Sequence, residues 1–210
     1  MTRFRYNDLM SHEAMNPIET ILGGWLEDPD LTIFCGHWGN GGVMELLPRG
    51  GARLSGPRYD APFDGLRELQ LTTGGHHVHL DLSRLIHACY FVAPSVCYGY
   101  RPSFEVRLTN SHSGLRDQFG IGLALTHPYA GYSVRGALVR RYFRRAAEHM
   151  DRFPQAVSFI CDRLNSPIDV QADWSCIESL LEDVDAGAGN SMRSIRSALR
   201  NRMQCREAAG

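Results

Sequence analysis

The sequence contains no lysine, so arginine supplies all 22 of its permanently cationic side chains. A GC-rich coding bias is the simplest explanation. Any anion that a charged side chain holds here is therefore held by guanidinium, whose planar fork suits carboxylate and phosphate. Because 23 acidic residues leave a formal net charge of −1, the chain also lacks the overall positive field that draws proteins to nucleic acid or to anionic membranes.

Long apolar runs and export signals are missing as well. No stretch approaches the ~20 apolar residues of a membrane-spanning helix. The first residues, MTRFRYND, have no apolar signal-peptide core. The six cysteines are scattered without a Cys-x-x-Cys pair, which is typical of reduced, partly buried thiols. We therefore expect a cytoplasmic protein without a membrane-spanning segment.

Hydrophobic periodicity predicts a helix, then a run of strands, then helices. The first helix is expected over residues 8–27. Strands are predicted over residues 31–35, 43–47, 66–72, 76–82, 85–92, 103–109 and 119–126, and residues 49–65 have the glycine and proline content of a loop. Further helices are predicted over residues 133–150, 153–164, 173–184 and 191–205. This order indicates an α+β fold with a large, mostly antiparallel sheet flanked by helices.

The same order suggests how the chain is divided. Residues 1–150 are predicted to form the α+β domain, and residues 151–210 a C-terminal helical extension packed on it. A chain of 210 residues is long enough for this arrangement and for a sizeable core.

Four of the nine histidines fall within twelve residues of the predicted sheet, at His76, His77, His79 and His87. Alternation along a strand puts His77, His79 and Asp81 on one face. Two imidazoles and a carboxylate form a known type of site for a divalent transition metal. One hypothesis is therefore a metal-dependent enzyme, and a solvated polar face is the structural alternative.

The order of landmarks between residues 31 and 143 resembles the haem-utilisation carrier family (ChuX, HutX and the half-repeat of HemS). In that family a strand ending in a histidine leads into an apolar strand and a Pro-Gly turn. A strand with a second histidine and a glycine loop follow later. The matching segments here are LTIFCGH ending at His37, VMELLPRGG from Val43, GGHHVHLDL from Gly74, LIHACYFV around His87, and CYG ending at Gly99.

The resemblance implies a haem-binding and haem-trafficking protein in the cytoplasm, often a homodimer. It places the haem-contacting histidines at His37 and His87, because neutral imidazole is a good axial ligand of haem iron. A related tetrapyrrole would use the same kind of slot. We expect a carrier rather than an enzyme, since no paired nucleophile and base are visible in the sequence. Degradation of haem, which some relatives perform, is the enzymatic variant.

The resemblance also implies the remaining contacts of a tetrapyrrole. Trp38, Tyr90 and Phe91 would supply apolar walls, as a broad flat ligand requires. Arg101 or Arg107 would pair with a propionate through a guanidinium fork.

A third hypothesis is a protein- or RNA-interaction module. Arginines recur at 140, 141, 144 and 145, and again at 193, 196, 200, 202 and 206, at spacings that give each predicted helix a basic stripe. Nearby acids and the near-zero net charge favour a solvated helix face over nucleic-acid binding.

Overall fold

Eleven strands and four helices make up the regular structure in the residues that the computed structural model describes, which are 16–26, 30–38, 43–46, 52–58, 66–73, 76–82, 85–110, 118–163, 170–182 and 189–200. The strands are β1 (Leu31–Trp38), β2 (Val43–Leu46), β3 (Ala52–Arg58), β4 (Leu66–Thr73), β5 (His76–Asp81), β6 (His87–Ser95), β7 (Arg101–Thr109), β8 (Gln118–Leu125), β9 (Tyr129–Ala130), β10 (Ser133–Val134) and β11 (Val157–Cys161). The helices are α1 (Pro17–Leu26), α2 (Gly136–Arg152), α3 (Gln171–Glu182) and α4 (Asn190–Arg200). For β1 to β5 the description is that of the backbone.

The strands pair into one main sheet and two smaller ones. The main sheet has six strands in the order β11-β6-β7-β8-β1-β2. Its β11 runs parallel to β6, whereas the other neighbouring strands are antiparallel. The order β3-β4-β5 forms a second, antiparallel sheet, and β9 and β10 form a short hairpin. Sheets and helices together confirm the α+β class.

Two longer segments differ from the sequence prediction, and the short strands β9 and β10 were not predicted either. The expected loop over residues 49–65 contains β3, which pairs with β4. In it Ala52 and Leu54 alternate with polar neighbours, and the pairing is irregular between Ser55 and Arg58, where Gly-Pro interrupts the ladder. The expected helix over residues 153–164 is wrong, because α2 ends just before Pro154 and the β-prone segment VSFIC forms β11.

Side-chain alternation gives the main sheet two different faces. The helix face is apolar and packs on the helices; on β6, β7 and β8 it consists of Ala88, Tyr90, Val92, Phe104, Val106, Leu108, Ile121, Leu123 and Leu125. The far face is mixed: a small buried apolar group, Cys89, Phe91 and Ala93 with Ile160, lies among small, polar and charged residues, which include His87, Ser103, Glu105, Arg107, Thr109, Gly120, Gly122, Ala124 and Ser158. The larger core lies on the helix face.

A cluster of buried aromatic rings joins β6 and β7 to α1 and α2 in this core. Tyr90 and Tyr142 meet edge to face at 5.4 Å, and Trp25 lies 6.4 and 6.1 Å from these two rings. Phe104 and Phe143 extend the cluster at 5.5 and 5.3 Å from Tyr142. Because each favourable ring pair adds about 0.5–1.5 kcal/mol beyond the burial of its area, this cluster holds the strands and helices in register.

The hydrophobic core extends across residue 150. Val157 of β11, Trp174 of α3 and Ile195 of α4 belong to the same buried cluster as Phe143 of α2. Residues 151–210 thus contribute a strand of the main sheet as well as helices, and in the described chain one core spans the position at which the sequence suggested a domain boundary.

The hydroxyl of Tyr90 links three elements by hydrogen bonds, so we expect Tyr90→Phe to destabilise the fold. The Trp25 indole N–H donates to this hydroxyl over 3.0 Å, and the hydroxyl lies 2.5 Å from His149 Nδ1. Its removal leaves a buried donor without its acceptor, which costs about 1–3 kcal/mol of unfolding free energy. Urea denaturation measures the loss, and Tyr132→Phe, at a fully exposed tyrosine, is the matched control. An equal stability of both variants would contradict this role.

Candidate functional site

His87 is the histidine of the sequence prediction whose surroundings the structure describes most fully. It is the first residue of β6 and lies on the far face. Its ring is half-buried, and the preceding residue, Ile86, is 46% exposed. The ring Nε2 lies 2.9 Å from Ser158 Oγ on β11. The parallel pairing creates this contact, because Ser158 stands opposite Cys89, two residues beyond His87 on the same face.

Cys89 lies between the two strands as a buried thiol. Burial raises its pKa to about 11, although a hydrogen bond with Ser158 and the charge of Arg107 oppose the rise. The thiol is therefore protonated at neutral pH, and its Sγ is 3.7 Å from the Tyr90 carbonyl oxygen. A thiolate is the form that binds metals and attacks electrophiles, so the environment of Cys89 suits packing rather than either role.

Arg107 and Phe91 lie next to this group on the far face. The Arg107 guanidinium sits 3.7 Å above the centre of the Phe91 ring and forms a 2.8 Å ion pair with Glu105. Since Arg107 is directly opposite Cys89 in the register, the sheet brings together three residues expected near a tetrapyrrole: His87, Phe91 and Arg107. Glu105 already occupies the position that a propionate was expected to take.

Arg101 stands at the opposite end of β7. It is paired with Ser95 in the register, whereas His87 is paired with Thr109 at the other end of the same ladder. Its guanidinium donates to both carboxylate oxygens of Asp173 at 2.8 Å and to two carbonyl oxygens of the hairpin turn between β9 and β10. Arg101 thus anchors α3 and the hairpin, and its expected contact with a propionate beside His87 is wrong on this geometry.

Tyr90 belongs to the other face of the sheet. Its ring is fully buried in the aromatic cluster, whereas His87 and Phe91 lie on the far face. The expectation that Tyr90 walls the same slot as His87 is therefore wrong, because neighbouring residues of a strand point to opposite sides.

His37 and Trp38 lie at the end of β1, for which the backbone register is described. His37 pairs with Phe119 of β8. The preceding residue, Gly36, pairs with Gly120, which pairs with Thr109 of β7, and Thr109 in turn pairs with His87 of β6. Residues that face each other across strands share a face, so this register assigns His37 to the helix face and Trp38 to the far face. Two strands, β7 and β8, separate β1 from β6. The expectation that His37 and His87 converge on a shared cleft is not supported by this register.

The three residues of the metal hypothesis lie on β5. His77, His79 and Asp81 occupy alternate positions of this strand, opposite Thr72, Gln70 and Glu68 of β4. Their side chains lie outside the described part of the structure. In the part whose side chains are described, no three His, Cys, Asp or Glu residues come close enough to hold a metal ion.

Two polar residues of importance escaped the sequence prediction. Ser158 was hidden because its segment was expected to be helical, although the β-branched and aromatic residues of VSFIC carry the strand signal. His149 lies on α2, and its ring is half-buried against Tyr90. Spacing on α2 alone does not reveal this contact, because the partner comes from β6.

His149 is held in its neutral form. Burial, reinforced by the charges of Arg145 and Arg152, lowers its pKa from 6.5 to about 4. Tyr90 has one hydroxyl proton and already accepts from Trp25, so its hydroxyl donates to Nδ1 of His149. This bond requires an unprotonated Nδ1.

We expect stability to fall as the pH is lowered from about 6.5 to about 4. In this pH window His149 binds a proton in the unfolded state but not in the folded state. The free energy of unfolding therefore rises with pH. His149→Gln, which cannot titrate, should show a shallower decline in urea denaturation between pH 7.5 and 4.5. Carboxyl groups titrate in both proteins and cancel in the comparison. Identical pH profiles would contradict the assignment.

Comparison with protein-family models finds no match, and no curated protein matches the chain either. In the described ranges, the helices are too short or too polar to cross a bilayer.

Proposed function

We propose that this protein binds haem or a related tetrapyrrole reversibly through one axial imidazole, that of His87. The observation that carries the proposal is a half-buried imidazole at the end of the sheet, next to the exposed side chain of Ile86. An imidazole with an apolar neighbour matches what haem iron and a porphyrin edge require. The carrier-like order of strands and histidines supports the same function.

The register of the sheet supports a single protein ligand. Since the register assigns His37 to the helix face of β1, which two strands separate from β6, a cage with both histidines on one iron does not fit. One axial histidine leaves the sixth position of the iron for water or for a ligand of the recipient protein. This arrangement suits transfer from one protein to another.

Ser158 gives the His87 ring a hydrogen-bond partner when no haem is bound. Its Oγ lies at hydrogen-bond distance from His87 Nε2, so coordination through Nε2 exchanges a hydrogen bond for a bond to iron. A hydrogen bond of this kind contributes about 0.5–1.5 kcal/mol, which weakens haem binding only slightly and stabilises the ring after release. Arg107 remains the candidate for a propionate, by exchange with Glu105. A homodimer and a cytoplasmic location accompany this proposal as predictions.

Titration of the purified protein with haemin tests the proposal. The wild type should give a saturable, shifted Soret band. His87→Ala should weaken binding by roughly tenfold or more, since loss of an outer-shell partner alone costs 10–100-fold in metal affinity. Ser158→Ala should bind equally well or up to roughly tenfold more tightly, because it removes the competitor for Nε2.

His127→Asn is the matched control for the loss of an imidazole. His127 is exposed and has a left-handed φ of 51°, a conformation that asparagine tolerates. This variant should bind haemin as the wild type does. A Soret shift that survives in His87→Ala, or that disappears in His127→Asn as well, would refute the assignment of His87.

A metal-dependent enzyme remains the second candidate. The observation in its favour is that His77, His79 and Asp81 do share one strand at alternate positions. Elemental analysis of the purified protein separates the two candidates. One equivalent of a transition metal, lost in a His77→Ala/His79→Ala double variant and accompanied by no haemin binding, would favour the enzyme.

A further inference from the structure

A groove between α3 and α4 lies apart from His87 and has a different chemistry. It is open to solvent, has a volume of about 550 Å³ and is lined by Glu182, Arg193, Arg196, Ser197 and Arg200. The last four residues share one side of α4, because spacings of three, four and seven return to the same helix face. A concave site of this volume falls in the range of small-molecule pockets.

The groove is held in shape by the core and by polar contacts. Met192, Ile195 and Leu199 anchor the opposite side of α4 in the hydrophobic cluster. Arg196 donates to the carbonyl oxygen of Leu181 at 2.6 Å, near the last turn of α3, and so ties the two helices together. The α4 backbone that presents the arginines is therefore fixed before any ligand arrives.

The guanidinium groups are only partly engaged by the contacts described. Arg193 donates through one nitrogen to Asn190 Oδ1 at 2.6 Å, and Arg200 through one nitrogen to Glu182 Oε1 at 2.9 Å. A guanidinium carries five N–H donors in a planar fork. Arg200 and Glu182 are about 60% exposed, so their ion pair is weak and exchangeable. The lining carries three positive charges and one negative charge.

We propose that this groove binds a small molecule bearing a phosphate group. Guanidinium forks match the oxygens of phosphate in geometry and charge, and the Ser197 hydroxyl adds a further donor in the lining. A phosphate dianion balances the excess positive charge of the groove. The near-zero net charge of the chain favours a small ligand over a nucleic acid. This proposal is independent of haem binding and accounts for part of the arginine run that the His87 site leaves unused.

Calorimetric titration of the full-length protein with pyrophosphate tests this proposal at constant ionic strength. Pyrophosphate should bind saturably with one equivalent per chain. The double variant Arg193→Ala/Arg200→Ala should bind it roughly tenfold or more weakly, because charge-assisted hydrogen bonds are lost. Arg196 is left in place because it ties α4 to α3. Glu182→Gln should bind pyrophosphate more tightly, since it removes the repelling charge.

Arg144→Ala is the matched control, because Arg144 is an exposed arginine of α2 that does not line the groove. It removes one positive charge from the surface and should leave binding unchanged. Urea denaturation checks that the groove variants remain folded. Equal losses in Arg144→Ala and in the groove variant would show nonspecific charge attraction and overturn the site.

Two further titrations identify the class of ligand. Citrate should bind more weakly than pyrophosphate if phosphate geometry is recognised, and equal binding would overturn the assignment to phosphate. A single-stranded oligonucleotide should bind no more tightly than pyrophosphate. Much tighter binding of the oligonucleotide, lost in the same double variant, would replace the small-molecule site by a nucleic-acid surface.

Discussion

The alternation of side chains along β6 is the constraint on which the arrangement of this protein depends. One strand sends Tyr90 into the aromatic core and His87, Cys89 and Phe91 to the far face. A shift of one residue would exchange the two sets and place an imidazole in the core. The packing of Tyr90 against Trp25 and Tyr142 prevents this shift, so core stability and the position of the His87 ring have the same origin.

The helices contribute by fixing this register from one side. Tyr90 accepts from Trp25 of α1 and donates to His149 of α2, while Tyr142 of α2 donates to the carbonyl oxygens of Phe91 and Glu105. These bonds reach the backbone of β6 and β7 directly behind the far-face residues Phe91 and Glu105. The far face can therefore carry polar and small residues without losing its alignment.

Much of the fold could be predicted from the sequence. Period-two alternation in β7 and the apolar run of β6 identify these strands, since their pattern records burial directly. Four strands were missed: the two-residue strands β9 and β10, and the longer β3 and β11, which were missed for physical reasons. In β3 the Gly-Pro irregularity conceals the alternation, and β11 is a short strand directly after a long helix. Their positions depend on pairing with β4 and β6, and a local pattern does not contain that information.

The candidate site could be predicted only in part. The shared face of His87, Phe91 and Arg107 was predictable, because it requires only side-chain alternation and the pairing of the neighbouring strands β6 and β7. Ser158 reaches His87 because β11 pairs in parallel with β6, a strand distant in sequence. The partners of Arg101 come from the β9–β10 turn and from α3. Such tertiary partners decide whether a charged residue is available to a ligand, and a single sequence does not state them.

The strand order of the main sheet has a consequence for synthesis of the chain. Leu31 of β1 pairs with Leu125 of β8, and Ala88 of β6 pairs with Val157 of β11. Each pairing therefore requires a strand that is synthesised much later than its partner. Pairings of such high contact order close slowly. Until β11 has left the ribosome, β6 lacks its parallel partner strand and His87 lacks the Ser158 hydroxyl. The hydrogen bond between His87 and Ser158 can therefore form only after β11 has been made, and this edge of β6 lacks its partner strand until then.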